Sequence, residues 1–294
     1  MIFVTISYGG DLSRLRLLRD SMDAFYRGYA KHIIIVPRED FDLFKSFSSD
    51  SNVEVLVQND FVDAAFYPRV WYKFAKNMLG DRSWRLQKYA GRSGWIIQQI
   101  VKLSLPSVTQ EQDIVVIDSD VVFTRQFKDS DFVPDNKMHT LVRFDPGEES
   151  ARHRKHMGGA RHLLRLPEAS TDHHYMSCPV VLNRDWLLGL QGYIEELYGR
   201  PWQHVLCAAD LFSEYCLYGV YIEEILKPDD LVLREQPYNL GVWAEKDFFE
   251  IMDRMLDEAS NSSDYLCLTI QSNLGFSADE YEGRVTQFLK HSLK

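Results

Sequence analysis

The segment from Asp113 to Thr124 constrains the fold most. Its all-aliphatic run, Ile114 to Ile117, stops at two carboxylates, Asp118 and Asp120, with only Ser119 between them. A short aliphatic run without polar alternation reads as a strand covered on both faces, as in parallel sheets packed between helices. Ligands of such sheets gather at the carboxyl edge, where both aspartates would sit. Two neighbouring carboxylates there lose hydration and repel each other, so a cation is expected to offset them. Oxygen ligands suit Mg²⁺ or Mn²⁺. The same residues could instead cap a turn after a core strand.

The segments before this run predict how such a sheet is built. Ile2 to Ser7 reads as a strand, Tyr8-Gly9-Gly10-Asp11 as a turn, and Leu12 to Phe25 as a helix with apolar residues at helical spacing. Ile33 to Val36 and Val53 to Val57 read as further strands, with a short helix over Asp42 to Phe47 between them. Strands alternating with helices imply a mainly parallel sheet with right-handed crossovers. Residues 61–92 are aromatic and basic without a clear period, and include Arg82, Arg85, Lys88 and Arg92. A helix then runs from Gly94 to Leu103.

Beyond the acid pair, residues 145–170 combine Gly158 and Gly159 with Arg152, Arg154, Lys155, Arg161 and Arg165, and read as a mobile basic loop. Pro179 to Leu182, Val220 to Ile225 and Leu266 to Ile270 read as strands. Trp186 to Leu197, Val205 to Leu217, Phe248 to Leu256 and Ala278 to Leu293 read as helices. No repeat or flexible linker interrupts the 294 residues, so one α/β domain is expected.

A net charge of −10 argues against a nucleic-acid binder. The four cysteines, Cys178, Cys207, Cys216 and Cys267, have no CxxC spacing and fit buried, reduced thiols in a cytoplasmic protein. Ile2 to Ile6 reads as a strand rather than part of a leader. No run approaches the about 18 apolar residues of a membrane span. Peripheral membrane association stays open.

A hydrophobic strand ending in Asp-x-Asp after about a hundred residues of βα pattern resembles the GT-A-type nucleotide-sugar glycosyltransferases. The resemblance is carried by Ile117-Asp118-Ser119-Asp120, the helix Gly94 to Leu103 before it and the strand Ser177 to Leu182 after it. It implies a GT-A-like domain, with a Rossmann-like nucleotide-binding half (residues 1–124) and an acceptor-binding half (125–294). It also implies a Mn²⁺ or Mg²⁺ cofactor on Asp118 and Asp120, neutralising charge on the departing diphosphate of a nucleotide-sugar donor, UDP-linked in this reading. The acceptor would be a glycan or another hydroxyl compound, such as a surface polysaccharide or a lipid-linked glycan.

On the same resemblance, Thr5, Ser7, Tyr8, Gly9 and Ser119 would contact the nucleotide. Gln98 and Lys102, four apart on one helical face, would reach a sugar hydroxyl and a phosphate. An inverting transfer needs a carboxylate to take the acceptor proton. Glu214, with Asp210 behind it on one helical face, is the preferred base. His173, His174 and Gln271 are candidates for sugar or acceptor contacts; neighbouring histidines on an extended chain face opposite ways, so only one would enter the site. Many relatives have a histidine after the last strand as a third metal ligand, where this chain has Gln271-Ser272-Asn273.

Two other readings stay open. The acid pair also fits the haloacid-dehalogenase-type phosphatases, with Asp118 as nucleophile and Asp120 as general acid, although that motif normally opens its fold. A non-catalytic sugar-nucleotide or glycan-binding module would keep the fold without the chemistry.

Overall fold

A computed structural model describes residues 1–28, 30–62, 94–134, 138–145, 150–169, 172–209, 211–242, 246–272 and 274–292. The strands are β1 (Ile2–Ile6), β2 (His32–Val36), β3 (Val53–Val57), β4 (Asp113–Val116), β5 (Val121–Phe123), β6 (His139–Val142), β7 (Val180–Asn183), β8 (Leu231–Arg234), β9 (Asn239–Val242) and β10 (Cys267–Ile270). The main sheet has the order β3-β2-β1-β4-β7. Its first four strands are parallel, and β7 runs antiparallel to β4. The helices used below are α1 (Leu12–Phe25), α2 (Gly94–Leu103), α3 (Ser150–Leu163), α4 (Arg184–Tyr198), α5 (Trp202–Cys207) and α6 (Glu214–Val220).

Alternation along the central strands divides the core. Ile2, Val4 and Ile6 pack with Ile114 and Val116 into one cluster, while Phe3, Val115 and Ile117 face the other. Both faces are therefore covered, as an all-aliphatic strand requires. The chain then leaves the main sheet at once. After Ser119-Asp120, β5 joins a second sheet, antiparallel to β10, which also pairs with β9 in parallel. The Ile270 N–H donates to the Asp120 carbonyl at 2.8 Å, so the end of β10 is brought to the acid pair.

Three expectations are corrected. Residues Ser150–Leu163 form α3 rather than a loop. At Gly159 a Cβ would stand 2.2 Å from the Leu211 carbonyl oxygen, so this glycine serves close packing of the helix and does not break it. The expected helix from Val205 to Leu217 is two helices, α5, which ends at Cys207, and α6, which starts at Glu214. Val220 to Ile225 is helical rather than extended, because α6 continues as a π-helix over Tyr221–Leu226. Six residues with two adjacent glutamates are too short to show a period that tells helix from strand. Here helical spacing lets Glu223 pair with Arg143 at 2.7 Å and Glu224 with Arg161.

Tyr175 locks α6 from outside. Its hydroxyl donates to Glu223 at 2.6 Å, and a Cβ at Gly219 would meet its ring at 2.3 Å. Gly219→Ala should therefore cost about 1–3 kcal/mol, read from chemical denaturation at an unchanged m-value.

His32, in β2, is fully buried between Arg19 and Thr5. Arg19 can only donate, so the Nδ1 3.2 Å away accepts, and Nε2–H faces the Thr5 hydroxyl at 2.9 Å. Burial, then the Arg19 charge, pushes its pKa down from 6.5 to about 3. Below pH 6.5 the unfolded chain takes a proton that the folded chain refuses, so stability falls as pH falls towards 3. Each such histidine contributes a slope of up to about 1.4 kcal/mol per pH unit. His32→Gln should flatten the acid limb of the denaturation midpoint against pH.

All four cysteines are buried, and none is in a disulfide. Among the described residues no helix is long and apolar enough to cross a membrane.

Candidate active site

The parallel pairing of β1 with β4 puts Ser7 to Asp11 and Asp118 to Asp120 along one carboxyl edge. Lys102, near the end of α2, reaches under that edge. Its Nζ donates to Asp118 Oδ1 and to the Tyr215 hydroxyl, each at 2.9 Å, and stands 2.9 Å from Glu214 Oε1. Burial opposes the ammonium charge, but Asp118 and Glu214 outweigh it and hold its pKa well above the ordinary lysine value. The Lys102 and Glu214 side chains are 7% and 3% exposed, against 40% for Asp118. Glu214 is thus the floor of this triad and Asp118 its mouth. Gln99 accepts the Glu214 backbone N–H at 3.1 Å, which ties the start of α6 to α2.

Asp120 has a different setting. Its Oδ2 accepts the Ser272 N–H at 3.2 Å, while burial, then Asp118 and Asp11, push its pKa up from 3.8 to about 7. Asp11, at the start of α1, pairs with Arg14 at 2.9 Å and accepts from the Ser119 hydroxyl at 3.3 Å. Arg14 in turn donates to the Phe276 carbonyl at 2.7 Å. Asp11, Asp118, Asp120 and Glu214 therefore face Lys102 and Arg14, leaving an excess of negative charge at the edge. A divalent cation suits that surplus. Among the described residues, however, no group of three His, Cys, Asp or Glu side chains is placed to hold a metal ion. A bound ion would have to complete its shell with oxygens of its ligand and water.

The turn after β1 carries an orphaned hydroxyl and an exposed ring. Ser7 Oγ is buried without a hydrogen-bond partner, and Tyr8 is 47% exposed. The Gly9 N–H donates to Asp40 at 2.7 Å, so near that a Cβ on Gly9 would stand 2.9 Å from the carboxylate. Thr5 is buried, with its hydroxyl against His32.

A family model described as "Family of unknown function (DUF6492)" matches residues 3–292. The chain belongs to the DUF6492 family. A search of curated proteins finds no match. Among solved structures, an active-site mutant of LgtC aligns over 99% of this DUF6492 chain and 96% of its own, at 10% identity and TM-score 0.51. The bifunctional glycosyltransferase WbbM aligns over 100% of this chain and 52% of its own, at 12% identity and TM-score 0.51. The DUF6492 fold is thus of the GT-A glycosyltransferase type, with a mainly parallel central sheet flanked by helices.

Within the DUF6492 chain, the structure gathers Asp118, Ser119, Asp120, Lys102 and Glu214 with the end of β1. Gln98 is half-buried on α2, and Gln271 half-buried just before Ser272. Asp210 lies outside the described residues. Glu214 opens its own helix, α6. His174 is buried, stacked on His153 with ring centroids 3.9 Å apart, and burial, then His153, push its pKa down to about 3. His173 is half-buried, 3.3 Å from the Tyr175 hydroxyl.

Sequence reasoning missed Asp11, Arg14, Gln99 and Tyr215. Asp11 had a signal, a carboxylate at the end of the turn that follows a buried strand. The others are joined to the site by contacts far apart in sequence.

Proposed function

We propose that this chain transfers a sugar from a nucleotide-sugar donor, UDP-linked, to a hydroxyl acceptor, with Mn²⁺ or Mg²⁺ held by Asp118 and Asp120. The observation that carries this reading is the surplus of carboxylate charge where two aspartates meet at the carboxyl edge of a GT-A-type sheet. LgtC is described as a galactosyltransferase in a crystal structure with donor and acceptor sugar analogs. The bound ion would neutralise charge developing on the leaving diphosphate.

The protein's own groups supply the rest. Ser7, Tyr8 and Gly9 receive the nucleoside at the end of β1, with the orphaned Ser7 hydroxyl as a hydrogen-bonding group and the exposed Tyr8 ring as a stacking surface. Lys102 holds Asp118 by a hydrogen bond at 2.9 Å and leaves it facing outward. Glu214, committed to Lys102 beneath the edge, acts through that lysine as a positioning residue rather than directly on the acceptor hydroxyl. Gln98, His173 and Gln271 are the remaining proposed sugar contacts. With this fold, the phosphatase reading loses its support, because its motif opens a different arrangement of strands.

Thermal shift against UDP-, GDP- and CMP-sugars, with and without Mn²⁺, tests the reading. A UDP-sugar should raise the Tm by mass action only when Mn²⁺ is present, and should be hydrolysed slowly in its presence. Binding without hydrolysis would support a non-catalytic module. Failure of every nucleotide sugar to bind with any divalent ion would end the transferase account.

A further inference from the structure

A cavity of about 660 Å³ lies between α3, the end of α4, α5 and the residues Ala208, Ala209 and Leu211. That volume is within the about 300–1,000 Å³ of small-molecule sites. Its apolar lining comes from Leu163, Leu166 and Val205, and its charged lining from Arg161, His162, Arg200 and Glu168. Arg161 is spoken for, because it pairs with Glu224 and donates to the Pro167 carbonyl at 2.7 Å. His162 and Arg200 are exposed at the rim. Beside them Arg165 lies over the Tyr198 ring, 4.7 Å from its centroid. Of the five Arg and Lys residues between Ser150 and Pro167 only Arg161 lines the cavity, which leaves His162, Arg200 and Glu168 as its other charged or titratable groups. Three of its lining residues, Ala208, Ala209 and Leu211, come shortly before Glu214, which holds Lys102.

The geometry points to an acceptor site for a sugar bearing a phosphate group. The apolar lining and Tyr198 suit a sugar face, and Arg200 with His162 suits the phosphate. The term "acceptor" rests on the transferase reading, whereas the phosphate-sugar site does not.

Gly158 supplies the test. It lines the cavity within α3, and a Cβ there meets nothing within 4 Å, so a side chain at this position starts in open space. Calorimetry with glucose 1-phosphate should show binding that Gly158→Trp and Arg200→Glu each weaken by about tenfold or more, as loss of a charge-assisted contact implies. The Tm and the affinity for UDP with Mn²⁺ should stay at wild-type values. Unphosphorylated glucose should bind at least about tenfold more weakly. Vesicles of phosphatidylglycerol in phosphatidylcholine separate the sources of the phosphate. Vesicle binding lost in Arg200→Glu would assign it to a lipid headgroup, and glucose 1-phosphate binding without vesicle binding to a soluble sugar phosphate. The inference is overturned if folded Gly158→Trp binds glucose 1-phosphate as wild type does, if glucose binds equally well, or if neither phosphate probe binds. Glucose 1-phosphate binding in a protein that takes no nucleotide sugar would sink the transferase reading and leave this site standing.

Discussion

Lys102→Met should destabilise the protein by about 3–5 kcal/mol, because it strands a buried carboxylate without its counter-charge. Most of this loss belongs to Glu214, whose side chain is 3% exposed. Asp118, at 40%, can be rehydrated and contributes less. The argument has an internal control. In Lys102→Met/Glu214→Gln the stranded charge is gone, so the double variant should be more stable than Lys102→Met alone, with a coupling energy of at least about 1 kcal/mol. Strict additivity in urea denaturation would show that the triad is not a unit. Lys102→Arg keeps the charge but must fit a planar guanidinium where one ammonium meets three oxygens, so it should recover only part of the loss.

Asp120→Asn should move stability and function in opposite directions. Asp120 is crowded by Asp118 and Asp11, with the Ser272 N–H as its hydrogen-bond partner. Removing its charge relieves repulsion, so the Tm without added metal should stay level or rise, as is common when an active-site residue is made inert. Mn²⁺-dependent binding and hydrolysis of a UDP-sugar should fall by about two orders of magnitude or more, the scale of losing electrostatic stabilisation of a developing charge. A lower Tm with retained hydrolysis would show that Asp120 is structural.

The central half of this fold was legible because its signals are local. Ile2 to Ile6, Ile33 to Val36, Val53 to Val57 and Ile114 to Ile117 each announce a strand buried on both faces, and the structure places them side by side. The segments that misled are those whose conformation is imposed from a distance. Gly158 and Gly159 within a basic stretch read as a loop until the Leu211 carbonyl is seen against the helix backbone. Val220 to Ile225 reads as a strand until Tyr175, Arg143 and Arg161 are in place around it.

From its order of residues alone, this chain determined a parallel sheet and two aspartates at its carboxyl edge, since periodicity and strand ends are properties of neighbours in sequence. Tertiary structure alone decided that Lys102 bridges Asp118 to Glu214, that Asp11 joins the acid cluster, and that α3 walls a cavity. Each of those depends on which side chains meet across the fold, where burial raises the strength of a charge pair and sequence distance carries no information about it.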